Sequence, residues 1–222
     1  MENVQKDIQR MAELSSGRID SIHILGGEPL LHPDCVAFLE MVRTHFPESS
    51  IRLITNGILL PKQNEKFYES LAKHSIILAP SKYPIKIDWN KIQTHCSTHG
   101  VDLKFMGERN TAWGTLPLDV EGQQDSRMSF LNCDHANQCT TLVQGKIYPC
   151  PFPYYIRHFN KHFNQNLVTT EHDYVDIYNV KDFNEVLAFL AKPIPFCKYC
   201  KTTARQYGLE WNTTKRNIEE WL

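Results

Sequence analysis

The sequence of 222 residues lacks long hydrophobic runs and lacks an excess of charge of either sign. Its apolar runs are much shorter than the roughly 20 residues that a helix needs to cross a bilayer, and it opens without the pattern of a secretory signal peptide. Lysine and arginine total 24 against 25 aspartates and glutamates, for a net charge of −1. Such a chain has no electrostatic footprint for nucleic acid or an anionic membrane. We therefore expect a cytoplasmic protein that binds neither.

The bulk composition is that of an ordinary globular protein, and it leaves the function open. Hydrophobic residues make up 41% of the chain and charged residues 22%, both close to the averages for soluble domains. A chain of this length forms one full domain or roughly one and a half. Apart from a strand–helix period, the sequence contains no internal repeat and no low-complexity tract. The function must therefore be inferred from local motifs.

Four candidate strands alternate with helical segments in the first half of the chain. The strands begin at Ile22, Ile51, Ile76 and Val101. The helices are expected over Met1–Leu14, after the capping residues Asp34 and Asn64, and over Trp89–His99 with Gly100 as its stop. This alternation predicts right-handed βαβ units and a parallel sheet. A last capped helix is expected within Trp211–Leu222.

The first of these strands leads into a loop with unusual chemistry. Ile22–Leu25 has the apolar pattern of a buried strand, and Gly26, Gly27, Glu28 and Pro29 follow it directly. The glycines let a ligand approach the backbone closely, and ligands bind at this end of a parallel sheet. A carboxylate beside bare backbone is suited to binding an ammonium group. The alternative interpretation is a Gly-Gly turn with a solvated glutamate.

Polar residues also end the next two candidate strands. Asn56 lies in the sequence Thr55-Asn56-Gly57 after the second strand, and Ser81 follows the third. Because the carboxyl ends of parallel strands share one edge, these residues are candidates for the same ligand site. The alternative is that Asn56 signals a turn and Ser81 is an ordinary polar loop residue.

The seven cysteines are distributed unevenly. Cys35 and Cys96 are isolated on predicted helices and are expected to be small buried hydrophobic residues. The remaining five crowd into the C-terminal part of the chain: Cys133, Cys139, Cys150, Cys197 and Cys200. In a chain without an export signal, such clustering favours a metal site over disulfides.

Local patterns bring these five cysteines together. A β-hairpin turning at Gln144-Gly145 pairs Val143 with Lys146 and places Cys139 opposite Cys150. The CxxC knuckle of Cys197 and Cys200 supplies two further thiolates, with Cys133 just upstream of the hairpin. Five sulfurs are thus available for a four-ligand site. Four thiolates suit both zinc and an iron–sulfur cluster.

The strand–GGEP–helix unit resembles the radical S-adenosylmethionine (SAM) enzymes. In that family the GGE loop binds the amino group of the methionine part of SAM, and later strand ends contact the ribose and methionine groups. The resemblance therefore implies a set of SAM-binding residues in this chain: Gly26, Gly27, Glu28, Pro29, Asn56 and Ser81.

The cysteine-rich half resembles the auxiliary-cluster domain of the same family, in its short twitch form or as a reduced SPASM domain. The family pattern C-x9–15-G-x4-C is matched by Cys133, Gly145 and Cys150, and the later CxxC completes it. The resemblance implies one auxiliary [4Fe–4S] cluster, with zinc as the alternative. Cys139 is then either a spare thiol or a substitute for one of the other ligands.

The resemblance implies an α/β fold in two parts. Residues 1–122 are expected to form a partial (βα) radical-SAM-type barrel that lacks its first strand, and residues 123–222 a small α+β cysteine-rich auxiliary-cluster domain. The family loop CxxxCxxC, which holds the SAM-cleaving cluster, is absent from the sequence. We expect that the chain alone does not cleave SAM. A missing N-terminal segment, a partner chain that supplies CxxxCxxC, or a degenerate relative are the three explanations.

The family chemistry is reductive cleavage of SAM to a 5′-deoxyadenosyl radical, which abstracts hydrogen from a substrate. An electron donor such as flavodoxin or ferredoxin is implied, and the auxiliary cluster either accepts an electron from the substrate radical or anchors the substrate. Family substrates include peptides, sugars, nucleosides and cofactors, and no residue here selects among them or is assigned as catalytic. The alternative function is a non-catalytic iron–sulfur or zinc module for electron transfer, structural support or partner binding.

Overall fold

A computed structural model of the protein describes residues 2–106 and 113–222. The chain divides into two compact units. The first comprises Met1–Trp113 with Leu209–Trp211, and the second comprises Gly114–Gly208 with Asn212–Leu222. None of the helices in the described ranges combines the length and the apolar character that a membrane span requires.

The first unit is a parallel α/β structure. Its strands are β1 (Ser21–Ile24), β2 (Ser50–Thr55) and β3 (Ile76–Pro80), and its helices are α1 (Glu2–Ser15), α2 (Cys35–His45), α3 (Glu65–Lys73) and α4 (Trp89–His99). The sheet order is β1-β2-β3, with Ile22 beside Ile51 and Ile51 beside Ile76 in parallel register. The predicted βαβ alternation is confirmed for these three strands; Met1 of the predicted first helix lies outside the described residues.

The fourth predicted strand is only partly formed. Leu103 makes an isolated parallel bridge with Leu78, and the backbone N–H groups of Lys104 and Met106 donate to the carbonyls of Leu78 and Pro80, both at 2.9 Å. The segment therefore runs beside β3 in the parallel direction and extends the sheet order without becoming a regular strand.

The edge position of β1 explains why it is more exposed than expected. Ile22 and Ile24 are half-buried, and Ser21 and His23 are exposed, whereas Ile51, Leu53 and Leu78 on the neighbouring strands are fully buried. Among the described residues, no strand pairs with the outer edge of β1. The expectation of a buried strand is therefore wrong for β1.

Helix caps were predicted with mixed success. Asn64 accepts a hydrogen bond from the backbone N–H of Phe67 at its Oδ1, at 3.1 Å, and Gly100 ends α4 in the left-handed conformation. Both predictions are confirmed. Asp34 stands before α2 but its side chain makes no capping hydrogen bond, so its predicted role as a cap is wrong.

The second unit is built from short elements. They are β4 (Trp113–Thr115), α5 (Ser126–Leu131), β5 (Thr141–Val143), β6 (Lys146–Tyr148), α6 (Phe152–Phe163), β7 (Val175–Asp176), α7 (Phe183–Leu190) and β8 (Gln206–Leu209). Strands β5, β6 and β7 form an antiparallel sheet, and β4 pairs with β8. Val143 pairs with Lys146 across a turn in which Gln144 and Gly145 have φ of 51° and 71°. The predicted hairpin is confirmed, and two positive φ values mark the turn type that matches strand twist.

The units divide at residues 113–114, whereas the sequence places the boundary at 122–123. Leu116 and Leu118 belong to the hydrophobic core of the second unit, together with Phe196 and Tyr199. The carboxylate of Asp119 then accepts hydrogen bonds from the backbone of residues 121 and 123 and from the side chain of residue 124. Residues 119–124 are therefore tied together by hydrogen bonds within the second unit.

The predicted C-terminal helix is wrong. Within residues 211–222 the structure contains one short 3₁₀ turn, Ile218–Glu220. Arg216 has φ of 58°, which no α-helix accommodates, and the carboxylate of Glu220 accepts hydrogen bonds from Thr214 and Lys215. These contacts fold the segment back on itself.

Candidate functional site

The carboxylate of Glu28 joins the loops that follow β1 and β2. Its Oε1 accepts hydrogen bonds from Thr55 Oγ1 at 2.6 Å and from the backbone N–H of Leu30 at 3.2 Å. Its Oε2 accepts one from the backbone N–H of Asn56 at 2.8 Å. A carboxylate has about four acceptor positions, so these bonds leave roughly one for a ligand. Glu28 is thus firmly oriented by its own chain.

Gly26 and Gly27 are exposed, and the fold itself gives no reason for glycine at either position. Neither has a positive φ, and a Cβ added at either would have no heavy atom within 4 Å. Packing within the chain would therefore accept a side chain at both positions. The bare backbone is instead suited to close approach by a ligand.

Gly57, in the next loop, is glycine for a reason internal to the fold. Its φ is 80°, and an added Cβ would lie 2.5 Å from the indole of Trp89. The preceding Asn56 accepts a hydrogen bond from the N–H of Ile58 at its side-chain Oδ1, at 2.9 Å. The side-chain oxygen of Asn56 therefore closes a local turn, as the alternative interpretation of this residue expects.

Thr55 connects the three predicted ligand-binding loops. Its hydroxyl donates to Glu28, and its carbonyl accepts from the backbone N–H of Ser81 at 2.9 Å. Ser81 is 6% exposed. The structure thus brings Glu28, Asn56 and Ser81 to one end of the sheet. Sequence reasoning did not assign Thr55 to the site, although its position at the end of β2 is the signal that would have identified it.

The two isolated cysteines are buried, as expected. Cys35 is 8% exposed and Cys96 is 2% exposed. Burial, assisted by the negative charge of Glu28, raises the pKa of the Cys35 thiol to about 11, and burial raises the pKa of Cys96 to about 11. Both thiols are protonated at neutral pH and serve as core residues.

The five clustered cysteines all lie in the second unit as free thiols. Cys133 follows α5, Cys139 precedes β5, Cys150 follows β6, and Cys197 and Cys200 lie within and just after the 3₁₀ helix Pro195–Tyr199. Cys139 is exposed, whereas the other four are buried or half-buried.

Four of these thiols form a mutually interacting set. Besides burial, neighbouring thiols raise the pKa values of Cys150, Cys197 and Cys200, with Cys133 acting on all three, and Cys133 also acts on Cys139. Burial raises the pKa of Cys150 to about 12 and also raises the pKa of Cys197 and Cys200. Grouped buried thiolates are unfavourable unless a cation compensates their charge, and a bound metal does so.

Hydrogen bonds from nearby N–H and hydroxyl groups hold members of this set in place. The N–H of Cys200 donates to the carbonyl of Cys197 at 3.1 Å, and Ser129 Oγ on α5 donates to the carbonyl of Cys200 at 2.9 Å. The N–H of His135 points to Cys133 Sγ at 3.4 Å. N–H groups that point at cysteine sulfur are among the features that tune iron–sulfur sites.

The spacing of the cysteine sulfurs can be compared with what zinc and an iron–sulfur cluster require. In the described ranges, no three cysteine sulfurs lie within 4.8 Å of one another. Four thiolates around one zinc ion lie about 3.8 Å apart, because each Zn–S bond is about 2.3 Å long. A cluster in which each thiolate binds its own iron accommodates wider spacing.

Arg205 belongs to a polar group in the second unit that sequence reasoning missed. Its Nη1 lies 3.0 Å from Oδ2 of Asp134, and its Nη2 lies 2.7 Å from Nδ1 of His135. Burial and the Arg205 charge lower the pKa of His135. Asp134 also accepts a hydrogen bond from the hydroxyl of Tyr207. Because Arg205 and His135 are 70 residues apart in the chain, no local motif signals this group.

Sequence comparisons with known proteins found similarity over about 30% of the chain. No protein-family model matches the chain. A segment of 66 residues is 35% identical to the GTP 3′,8-cyclase of Sulfurovum sp. (strain NBC37-1), covering 30% of this chain and 20% of that protein. A match over 69 residues is 39% identical to the GTP 3′,8-cyclase of Alkaliphilus oremlandii (strain OhILAs), covering 29% and 22%. The chain is thus weakly homologous to these enzymes, and the matches span about a fifth of their length.

Two solved structures of BtrN have a backbone that partly superposes on that of this chain. The crystal structure of BtrN in complex with AdoMet and 2-DOIA matches with a TM-score of 0.49 and 16% identity, covering 89% of this chain and 78% of BtrN. BtrN in an open conformation matches with a TM-score of 0.45 and 15% identity over the same shares.

Proposed function

We propose that the chain is an iron–sulfur protein of the radical SAM family, with a SAM-binding loop in its first unit and one auxiliary [4Fe–4S] cluster in its second. The observation that carries the proposal is the presence of five free cysteines in the second unit, four of them at least half-buried. The GGEP loop and the weak homology to GTP 3′,8-cyclases support the family assignment.

For the metal centre we assign Cys133, Cys150, Cys197 and Cys200 as ligands and leave Cys139 outside the set. The four assigned thiols are at least half-buried, and Cys139 is exposed. The same four match the family spacing found in the sequence. We propose an iron–sulfur cluster rather than a single zinc ion at this site, because the GGEP loop resembles that of a family that uses such clusters.

For SAM we assign the backbone of Gly26 and Gly27 to the methionine amino group, with Pro29 stiffening the loop. The role of Glu28 is mainly to position this loop, since Thr55, Leu30 and Asn56 occupy most of its acceptor positions. Asn56 and Ser81 complete the site from the neighbouring strand ends, Asn56 through a side chain that also closes its own turn.

With a SAM-cleaving [4Fe–4S] cluster supplied, SAM held by these residues would provide the 5′-deoxyadenosyl radical for hydrogen abstraction from a substrate. The cysteines for that cluster are not in this sequence, and we propose that another segment or a partner chain provides CxxxCxxC. Flavodoxin or ferredoxin is the proposed electron donor. Because thiolate-bound iron needs reduced cysteines, we place the protein in the cytoplasm.

The ligand assignment is tested by single substitutions in protein purified without oxygen. Cys150→Ser and Cys200→Ser are expected to lose more than about half of the bound iron, because each removes one of the four thiolates that hold the cluster. Cys139→Ser is the matched control and is expected to keep the wild-type iron content. Iron and sulfide analysis with visible absorption gives the readout. Equal loss in all three variants would contradict the four-ligand set.

A further inference from the structure

Three side chains with metal-ligating atoms meet between α3 and α4 in the first unit. Glu65 and Glu69 lie one turn apart on α3, and His99 lies in the last turn of α4. One ligand atom from each residue lies within 4.8 Å of the ligand atoms of the other two. Because the residues come from two helices that β3 separates in the chain, no local sequence motif signals this group.

The two carboxylates of this group are exposed and lack a cationic partner in the part of the chain that the structure describes. Neither Glu65 nor Glu69 makes an ion pair or a side-chain hydrogen bond with another described residue, although Lys73 stands one turn beyond Glu69 on the same helix. Like charges four residues apart on a helix destabilise it. The helix N-terminus favours only Glu65, which lies in the first turn. A cation bound between the two carboxylates would therefore stabilise α3.

The imidazole of His99 is oriented by contacts outside the group. Its Nδ1 lies 2.9 Å from the backbone carbonyl oxygen of His95. Because a carbonyl can only accept, Nδ1 carries the hydrogen, and Nε2 of the neutral ring keeps its lone pair for a metal. The ring also stacks against Tyr68, with the centroids 5.7 Å apart. Metal-ligating histidines typically donate their second ring nitrogen to a carbonyl in this way, so this contact supports a metal site independently of the proximity of the three residues.

We propose that Glu65, Glu69 and His99 bind a divalent first-row transition-metal ion that joins α3 to α4. Two carboxylates and one imidazole suit ions that accept both oxygen and nitrogen ligands, such as Mn²⁺ and Zn²⁺. Donor atoms around one such ion lie about 3.4 Å apart, because each metal–ligand bond is about 2.1 Å long. The exposed glutamates can move closer by changing rotamer. The site belongs to the first unit, whereas the clustered cysteines belong to the second.

Mn²⁺ is the probe for this site, because manganese prefers oxygen ligands and thiolates select softer metals. The full chain, purified without oxygen, is titrated with Mn²⁺, and the free ion is followed by its electron paramagnetic resonance signal. The wild type is expected to bind about one Mn²⁺ per chain at this site. Glu69→Gln and His99→Gln are each expected to weaken binding at least about tenfold, since even substitutions beside the ligands of a metal site typically have effects of that size.

Two variants serve as matched controls. Glu48→Gln removes an exposed carboxylate of the first unit that lies outside the group. His95→Asn removes the neighbouring imidazole but keeps the backbone carbonyl that orients His99. Both controls are expected to bind Mn²⁺ like the wild type.

Three results would overturn the inference: no Mn²⁺ binding by the wild type, wild-type binding in both Glu69→Gln and His99→Gln, or an equal loss of binding in the two controls. Each leaves the proposed function untouched, because the iron and sulfide content reports on the cysteines of the second unit.

Discussion

The two candidate sites differ in how completely the chain satisfies its own polar groups. In the first unit, Glu28 is bound by Thr55, Leu30 and Asn56, and the loop is held by its own hydrogen bonds. In the second unit, burial and neighbouring thiols raise the pKa values of Cys150 and Cys200, and the buried Nε of Arg205 has no hydrogen-bond acceptor among the described residues.

This contrast indicates how far each site depends on a bound ligand or metal. The loop site is preorganised and offers mainly backbone, so a ligand there gains by fitting an existing shape. Without a metal, the raised pKa values keep Cys150 and Cys200 protonated, and a bound metal cation would stabilise them as thiolates. The loop site is therefore expected to withstand ligand removal, whereas the thiol site is expected to depend on its metal.

The largest effect is expected at Gly57, whose backbone conformation supports the loop site. Gly57→Ala is expected to lower the free energy of unfolding by about 2–4 kcal/mol, because alanine is strained at positive φ and its Cβ would clash with Trp89. Urea unfolding followed by circular dichroism measures the loss.

Gly26→Ala is the matched control for that substitution. Its added Cβ meets no atom within 4 Å, so the free energy of unfolding is expected to stay within about 0.5 kcal/mol of the wild type. A loss as large as that of Gly57→Ala would show that Gly26 serves the fold, and the assignment of its bare backbone to a ligand would fail.

The second prediction concerns how the free energy of unfolding depends on pH through the two isolated buried thiols. The thiols of Cys35 and Cys96 have ordinary pKa values of 9.0, raised to about 11 in the folded protein. Between pH 9 and 11 the unfolded state loses these protons while the folded state keeps them. The stabilisation is therefore complete below pH 9 and is lost as pH rises towards 11, by about 2–3 kcal/mol for each thiol.

Unfolding free energies at several pH values between 8 and 11 check this dependence. The double variant Cys35→Ala/Cys96→Ala is expected to show a flatter decline than the wild type, whatever its stability at pH 8. Cys139→Ala, which removes one exposed thiol whose pKa is also raised, is the comparison and should flatten the decline less than the double variant. An unchanged slope in the double variant would mean that burial does not hold these protons.

The smallest effect is expected at Glu28. Glu28→Gln keeps the side-chain shape but leaves one of its two acceptor oxygens, so at least one hydrogen bond to Thr55, Leu30 or Asn56 is lost. The free energy of unfolding is expected to fall by about 1.5–2 kcal/mol, the lower range for a hydrogen bond to a charged group. Exposed Glu48, changed to Gln, provides the control. No difference between the two variants would contradict the bridging role of Glu28.

Features set by neighbouring residues were predictable from the sequence. The end of α4 at Gly100, the cap at Asn64 and the turn at Gln144–Gly145 each depend on a few adjacent residues, and the structure shows all three. The parallel order of β1, β2 and β3 followed from their alternation with helices.

Features set by distant contacts were not predictable. The exposure of β1 depends on its edge position, and the loss of the C-terminal helix depends on how Glu220 binds the chain before it. The grouping of Arg205 with Asp134 and His135 joins segments about which local patterns carry no information. The cysteine set was recognisable because its spacing is itself a motif.

The central claim is tested most directly by the iron, sulfide and zinc content of the wild-type chain purified without oxygen. The account predicts about four irons and four sulfides per chain with brown absorption, because four thiolates hold one [4Fe–4S] cluster. About one zinc per chain without iron or sulfide would contradict it, and the second unit would then hold a structural zinc site.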